Sequence, residues 1–165
     1  MVKENFHYSL TSSCLEPACG EGAMVHVLED YFSKNLTYYD KDVDFLKEER
    51  KFDYIITNPP FSLASDFILK AKHVANKKFC MLLPLSYLHG KGRFDRIYSD
   101  REFFPLKKIH VFTRYPMLGD PLRKDGKYRT GMMVYAWFVW EKEYRGEPSI
   151  GWIDNHSDVL KKGDL

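Results

Sequence analysis

The chain has 165 residues, 44% of them apolar and 16% aromatic, with a formal net charge of +2. That is long enough for a single domain with a buried core, and too rich in apolar side chains for a disordered chain. Cys14, Cys19 and Cys80 form no CxxC pair and have no matching Cys/His set, so no disulfide framework and no metal site is expected, and a reduced, cytoplasmic setting fits. The opening MVKENFHYSL carries no long apolar stretch, and neither a signal peptide nor a membrane span is expected.

In chain order, CLEPA (14–18) reads as a short strand, followed by the small, flexible run Ala18-Cys19-Gly20-Glu21-Gly22. Met24, Val25, Val27, Leu28, Tyr31 and Phe32 recur at helical spacing. LTYYD (36–40) predicts a second strand ending in acid. DYIIT (53–57) is a continuous apolar strand of the kind buried on both faces of a parallel sheet. It stops at Asn58-Pro59-Pro60-Phe61. Prolines fix φ and lack an N–H donor, and they hold the preceding residue extended, so a stiff tip presenting one carboxamide and one ring is expected there.

Ser62 is placed to cap a helix whose apolar stripe is Leu63, Ala64, Phe67, Ile68, Ala71, Val74 and Ala75. FCMLLPL (79–85) predicts another buried strand and residues 92–100 a helix. IHVFT (109–113) and MVYAWFVW (133–140) read as two strands joined by a long loop rich in Gly, Pro and charge. The alternation implies an open, mostly parallel α/β sheet with a late antiparallel strand. In such sheets ligands sit beyond the carboxyl ends of the strands, and EPACGEG, YYD and TNPPF each fall at one.

The small net charge hides an asymmetry. Residues 88–130 hold eleven Lys/Arg against five Asp/Glu, with Phe94, Tyr98, Phe103, Phe104, Tyr115 and Tyr128 interleaved. Such a block suits a phosphate backbone and unstacked bases, and equally a plain solvated surface. Gly20 and Gly22 stand where a glycine lets backbone approach a ligand, although any strand-to-helix turn can use them. Asp40 follows about twenty residues later, where an acid can accept from both ribose hydroxyls. The turn does not match GxGxxG, which disfavours a nicotinamide or flavin.

Together LEPACGEG (15–22), the acid after the second strand, and TNPPF (57–61) resemble the signature set of S-adenosylmethionine-dependent N6-adenine DNA methyltransferases. The small phage-type members are the nearest match, including DFL (44–46) and the aromatic YAWFVW (135–140). The resemblance extends over residues 14–153 and implies a class I methyltransferase, Rossmann-like fold in one domain spanning 1–165. It implies S-adenosylmethionine as cofactor and DNA, or RNA, as partner. Asn58, Pro59, Pro60 and Phe61 would be the catalytic tip: the Asn58 side-chain oxygen and the Pro59 carbonyl accept the amine protons, and Phe61 stacks on a base taken out of its stack. Glu16, Pro17, Ala18, Gly20 and Gly22 would line the methionine end of the cofactor, with Asn58 beside it. Asp40 would hold the ribose, and Asp44 with Phe45 would flank the adenine.

The segment ahead of LEPACG is shorter than in most members, and no stretch has room for a separate target-recognition domain. Recognition is therefore expected from the basic loop, with Arg114, Arg123, Lys124, Lys127 and Arg129 on phosphates and Tyr115 on bases. The competing expectations are methylation of RNA adenine or of a protein glutamine, and a non-catalytic binding module on the same fold.

Overall fold

The computed structural model describes residues 11–113 and 133–154. Seven strands form one sheet in the order β2-β1-β3-β4-β6-β5-β7. They are β1 (Cys14–Glu16), β2 (Leu36–Tyr38), β3 (Phe52–Thr57), β4 (Ala75–Pro84), β5 (Leu106–Phe112), β6 (Tyr135–Glu141) and β7 (Ser149–Ile153). Neighbouring pairs are parallel except those made by β6, which runs antiparallel to both β4 and β5. The antiparallel pairing of the last two predicted strands is therefore as expected.

Strand alternation sorts the core into two layers. Leu15, Ile55, Phe79, Met81, Phe138 and Trp140 face one side, where helix α2 (Ala64–Val74) adds Phe67, Ile68, Ala71 and Val74. Cys14, Tyr54, Ile56, Cys80 and Val139 face the other, where helix α1 (Ala23–Phe32) adds Leu28 and Phe32. A sheet covered on both faces needs unbroken apolar strands, which is why the middle strands show no polar alternation. Phe79 and Trp140 are register partners across β4 and β6 and stack with ring centroids 4.8 Å apart. Paired rings of this kind add about 0.5–1.5 kcal/mol beyond the area they bury.

Three local expectations need correction, and one strand was not predicted. Val27 is exposed, because α1 turns Val25, Leu28 and Phe32 inward and Val27 lies outside that arc. Ser62 does not cap α2; it sits inside a 3₁₀ turn (Phe61–Leu63) closed by Leu63 N–H donating to the Pro60 carbonyl at 2.9 Å. That turn pushes the helix start to Ala64, with no side-chain cap. Ala75 belongs to β4, which starts directly at the end of α2, so polar Asn76, Lys77 and Lys78 are strand residues, with Ala75 and Lys78 pairing with β3 on either side of a register shift and Lys78 with Glu141 of β6. Last, β7 has no apolar run to announce it; its glycine-containing sequence becomes a strand by pairing with β5 at the sheet edge.

The predicted helix over 92–100 is a short piece, α3 (Lys91–Arg93), running into a π-helical turn (Phe94–Tyr98). Because β2, β1, β3 and β4 are parallel, Tyr38, Glu16, Thr57 and Pro84 end on one edge of the sheet, and Tyr135 starts β6 there opposite Pro84. No helix among the described residues is long and apolar enough to cross a membrane.

Candidate active site

The turn after β1 is shaped by its glycines. Gly20 and Gly22 have φ of +51° and +82°, in the left-handed region that side-chain-bearing residues avoid. A Cβ at either would meet nothing within 4 Å, so the turn needs glycine for its torsion angles and leaves the space beside it open. Gly22 N–H donates to the Cys19 carbonyl at 2.8 Å, and Gly22 then begins α1.

Glu16 closes β1 with no solvent exposure. Its Oε1 accepts from the Ala18 backbone N–H at 3.0 Å and from the Thr57 hydroxyl at 2.6 Å. Its Oε2 is buried and has no hydrogen-bond partner among the described residues. Burial pushes the carboxyl up to about 8, with the Thr57 and Ala18 bonds pulling back against it, and a cation set against the vacant oxygen would restore its charge. An orphaned oxygen of this sort costs roughly 1–3 kcal/mol. A fold tolerates that where a ligand supplies the missing donor. The site thus fits a group carrying a cationic donor.

Beyond β2 the chain is tied back to this turn. Tyr39 N–H donates to the Glu16 carbonyl and Cys19 N–H to the Tyr39 carbonyl, each at 3.1 Å. Asp40 follows, half-buried. Cys19 lies between the two acids: burial first, then Asp40 and Glu16, raise its thiol pKa. Glu16, the glycine turn and Asp40 are therefore brought together.

The next stretch is mainly architectural. Asp44 accepts from the Leu46 N–H at 3.0 Å and caps the 3₁₀ turn Phe45–Lys47. The Phe45 ring is buried, 4.8 Å from the Phe67 ring, so what Phe45 can offer a ligand is its backbone. Glu48 is clamped by Arg50, whose Nε and Nη2 reach its two oxygens at 3.0 and 2.7 Å, and by the Tyr39 hydroxyl at 2.9 Å. The Arg50 bonds lead in holding this carboxyl down at about 2.

The tip stands on the neighbouring strand. Pro59 is buried while Asn58, Pro60 and Phe61 are exposed. Burying one proline anchors the segment and leaves the carboxamide and the ring outside. The Phe61 ring lies 5.7 Å from that of Tyr135 at the start of β6. A hollow lined by Pro84, Leu85, Ser86, Met133 and Val134 opens on the same edge. Thr57, the residue before Asn58, is the one bonded to Glu16, so a single hydroxyl joins the glycine turn to the tip.

Sequence reasoning missed Thr57 and Tyr135. Thr57 had a usable signal, a hydroxyl at the end of an otherwise apolar buried strand; Tyr135 had none, being one aromatic among many in its strand. Arg114, Tyr115, Arg123, Lys124, Lys127 and Arg129 lie outside the described residues. No group of three or more His, Cys, Asp or Glu suited to a metal ion occurs among the described residues.

No family model matches the sequence, and no curated protein is similar to it. Solved structures are similar in shape. A Listeria monocytogenes protein described as a class I S-adenosylmethionine-dependent methyltransferase superposes with a TM-score of 0.66 at 13% identity, over 95% of this chain and 63% of that one. A dimethyladenosine transferase from Plasmodium falciparum gives 0.58 at 15% identity, over 87% and 59%. A Vibrio vulnificus protein described as the modification subunit of a type I restriction enzyme gives 0.57 at 16%, over 93% and 44%. The chain thus spans less than two thirds of the length of each of these three. The likeness is one of fold, and in fold the chain is a Rossmann-like, class I methyltransferase-type sheet.

Proposed function

We propose that the chain is an S-adenosylmethionine-dependent methyltransferase acting on the N6 amino group of adenine in DNA. The observation that carries this reading is the bond from Thr57 to Glu16, which sets a buried carboxyl with one vacant acceptor beside an exposed Asn-Pro-Pro-Phe tip. S-adenosylmethionine would bring a methyl group on a positively charged sulfur and an ammonium for Glu16. Asp40 would accept from its ribose hydroxyls, and Asp44 with the Phe45 backbone would flank its adenine.

The chain's own task is orientation. An adenine amine is a weak nucleophile because its lone pair is delocalised into the ring. Acceptance of its two N–H bonds by the Asn58 side-chain oxygen and the Pro59 carbonyl favours a pyramidal nitrogen with its lone pair directed outward. S-adenosylmethionine held there would supply the methyl carbon to that lone pair, its sulfur keeping the carbon–sulfur electrons and the extra amine proton passing to solvent. Fixed acceptors require no reorganisation at the moment of reaction, and the proline frame keeps them fixed. The exposed Phe61 ring is available to stack on the base. Similarity in fold to proteins named for dimethyladenosine transfer and for restriction modification supports a nucleic-acid amine. A structure named as a 23S rRNA methyltransferase, superposing with a TM-score of 0.53, favours RNA adenine as the second reading.

Asn58→Ala tests the assignment. Turnover should fall by two or more orders of magnitude, on the scale of losing one preorganised catalytic hydrogen bond, while cofactor affinity measured by calorimetry stays within about twofold. Unchanged turnover in Asn58→Ala would remove the tip from the chemistry.

A further inference from the structure

A second polar cleft, separate from the glycine turn, opens at Ser65, four residues after Phe61 of the tip. It is lined by Ser65, Gly90, Gly92, Arg93, Arg96 and Ile97. Two guanidinium groups and a hydroxyl line it, and no carboxylate is among the lining residues.

Arg93 is held in place with more care than a surface cation needs. Its Nε donates to the His89 carbonyl at 2.8 Å, and its guanidinium lies 4.7 Å from the centre of the Tyr87 ring. Gly90 is needed for its φ of +119° and not for space, since a Cβ there would meet Arg93 Nη2 at an ordinary 3.4 Å. Carbonyl and ring together fix the plane of the fork before any partner arrives. Arg96, more than half exposed, has only a loose pairing with Asp66 at 3.5 Å. Nearby, Asp95 pairs with Lys91. A preset guanidinium fork beside a second, lightly engaged one matches the geometry by which arginine takes a phosphate.

The cleft is wired to the tip. Ser65 follows Phe61 by one turn, and its hydroxyl lies 3.1 Å from the Tyr87 hydroxyl, on the same ring that carries Arg93. Phe94, more than half exposed, offers a further stacking surface in the segment that carries both arginines. The arginines are thus joined through Tyr87 to the helix that follows the tip.

We propose that the cleft walled by Ser65, Arg93 and Arg96 seats a backbone phosphate of the nucleic-acid strand whose base is presented to Asn58. This rests on the nucleic-acid reading above and adds a contact outside the basic loop of residues 114–129. Its role is to position the strand without reading sequence.

The test is fluorescence anisotropy of a labelled, adenine-containing single-stranded oligonucleotide across a salt series, using the full chain. Arg96→Gln should weaken binding severalfold for all sequences alike and lower the log–log salt slope by about one. Asp66→Asn, which frees Arg96 from its competing acid, should tighten binding. A single neutral methylphosphonate next to the target adenine should reproduce the loss in the wild type and add little in Arg96→Gln. Melting temperature and S-adenosylmethionine affinity should not move in either variant. Wild-type affinity and slope in Arg96→Gln, with nucleic-acid binding otherwise intact, would overturn the phosphate seat alone. Absence of any oligonucleotide binding by the wild type would overturn both the seat and the nucleic-acid reading.

Discussion

Two buried glutamates, one ending β1 and the other in the β2–β3 connection, meet opposite fates. Glu48, 9% exposed, has both oxygens taken by Arg50 and Tyr39 and is held at about 2. Glu16, 0% exposed, has one oxygen on Thr57 and Ala18, the other on nothing, and is raised to about 8. The first is a finished ion pair that ties the β2–β3 connection together. The second has one oxygen with no partner among the described residues, which the ammonium of the proposed cofactor would fill. Burial of an acid therefore says little about function by itself. What discriminates is whether the fold supplies every partner.

Substitutions sharpen this contrast. Glu16→Gln removes the capacity to accept a cationic donor, and S-adenosylmethionine affinity should fall on the order of 10–100-fold, the scale of one charge-assisted hydrogen bond. Folding stability should stay equal or rise, since the unfolded chain no longer gains from ionising that side chain at pH 7. Glu48→Gln should do the reverse, lowering stability by roughly 1–3 kcal/mol with cofactor affinity within about twofold. Calorimetric titration and thermal melting of the two variants read both effects. A Glu48→Gln that lost cofactor binding while melting normally would break the comparison.

A smaller effect is the opposite pH dependence of the two acids. Glu16 has a folded pKa raised from 4.5 to about 8. Between those values the folded form keeps a proton that the unfolded form has lost, so its contribution falls as pH rises through that window. Glu48 is lowered from 4.5 to about 2, so its contribution is present above 4.5 and disappears as pH falls toward 2. Melting temperature should depend less on pH between about 4.5 and 8 in Glu16→Gln, and below about 4.5 in Glu48→Gln. The same flattening in both variants would contradict the assigned shifts.

The sheet was legible because burial on both faces leaves a plain mark: DYIIT and FCMLLPL are continuous apolar strands, and the turn chemistry of Gly20, Gly22 and Pro59-Pro60 punctuates them. Strand β7 was not, since an edge strand defined by pairing needs no apolar pattern. The start of α2 was misplaced because the two prolines impose a 3₁₀ turn on Ser62, which overrides its capping tendency. In the site, Gly20, Gly22 and Asp40 were readable from their places between elements, and Glu16 only through the resemblance. The Thr57–Glu16 bond was not, because it joins residues 41 apart in sequence through strand adjacency. Nor was the Arg93 cleft, which exists only once β4 delivers Tyr87 beside α2.

The most direct test of the central claim is nucleoside analysis by mass spectrometry after incubation of DNA with the protein and S-adenosylmethionine. The account predicts N6-methyladenine as the methylated product. Methyl groups found on cytosine instead, or a protein that binds S-adenosylmethionine yet leaves adenine unmodified in both DNA and RNA, would contradict it.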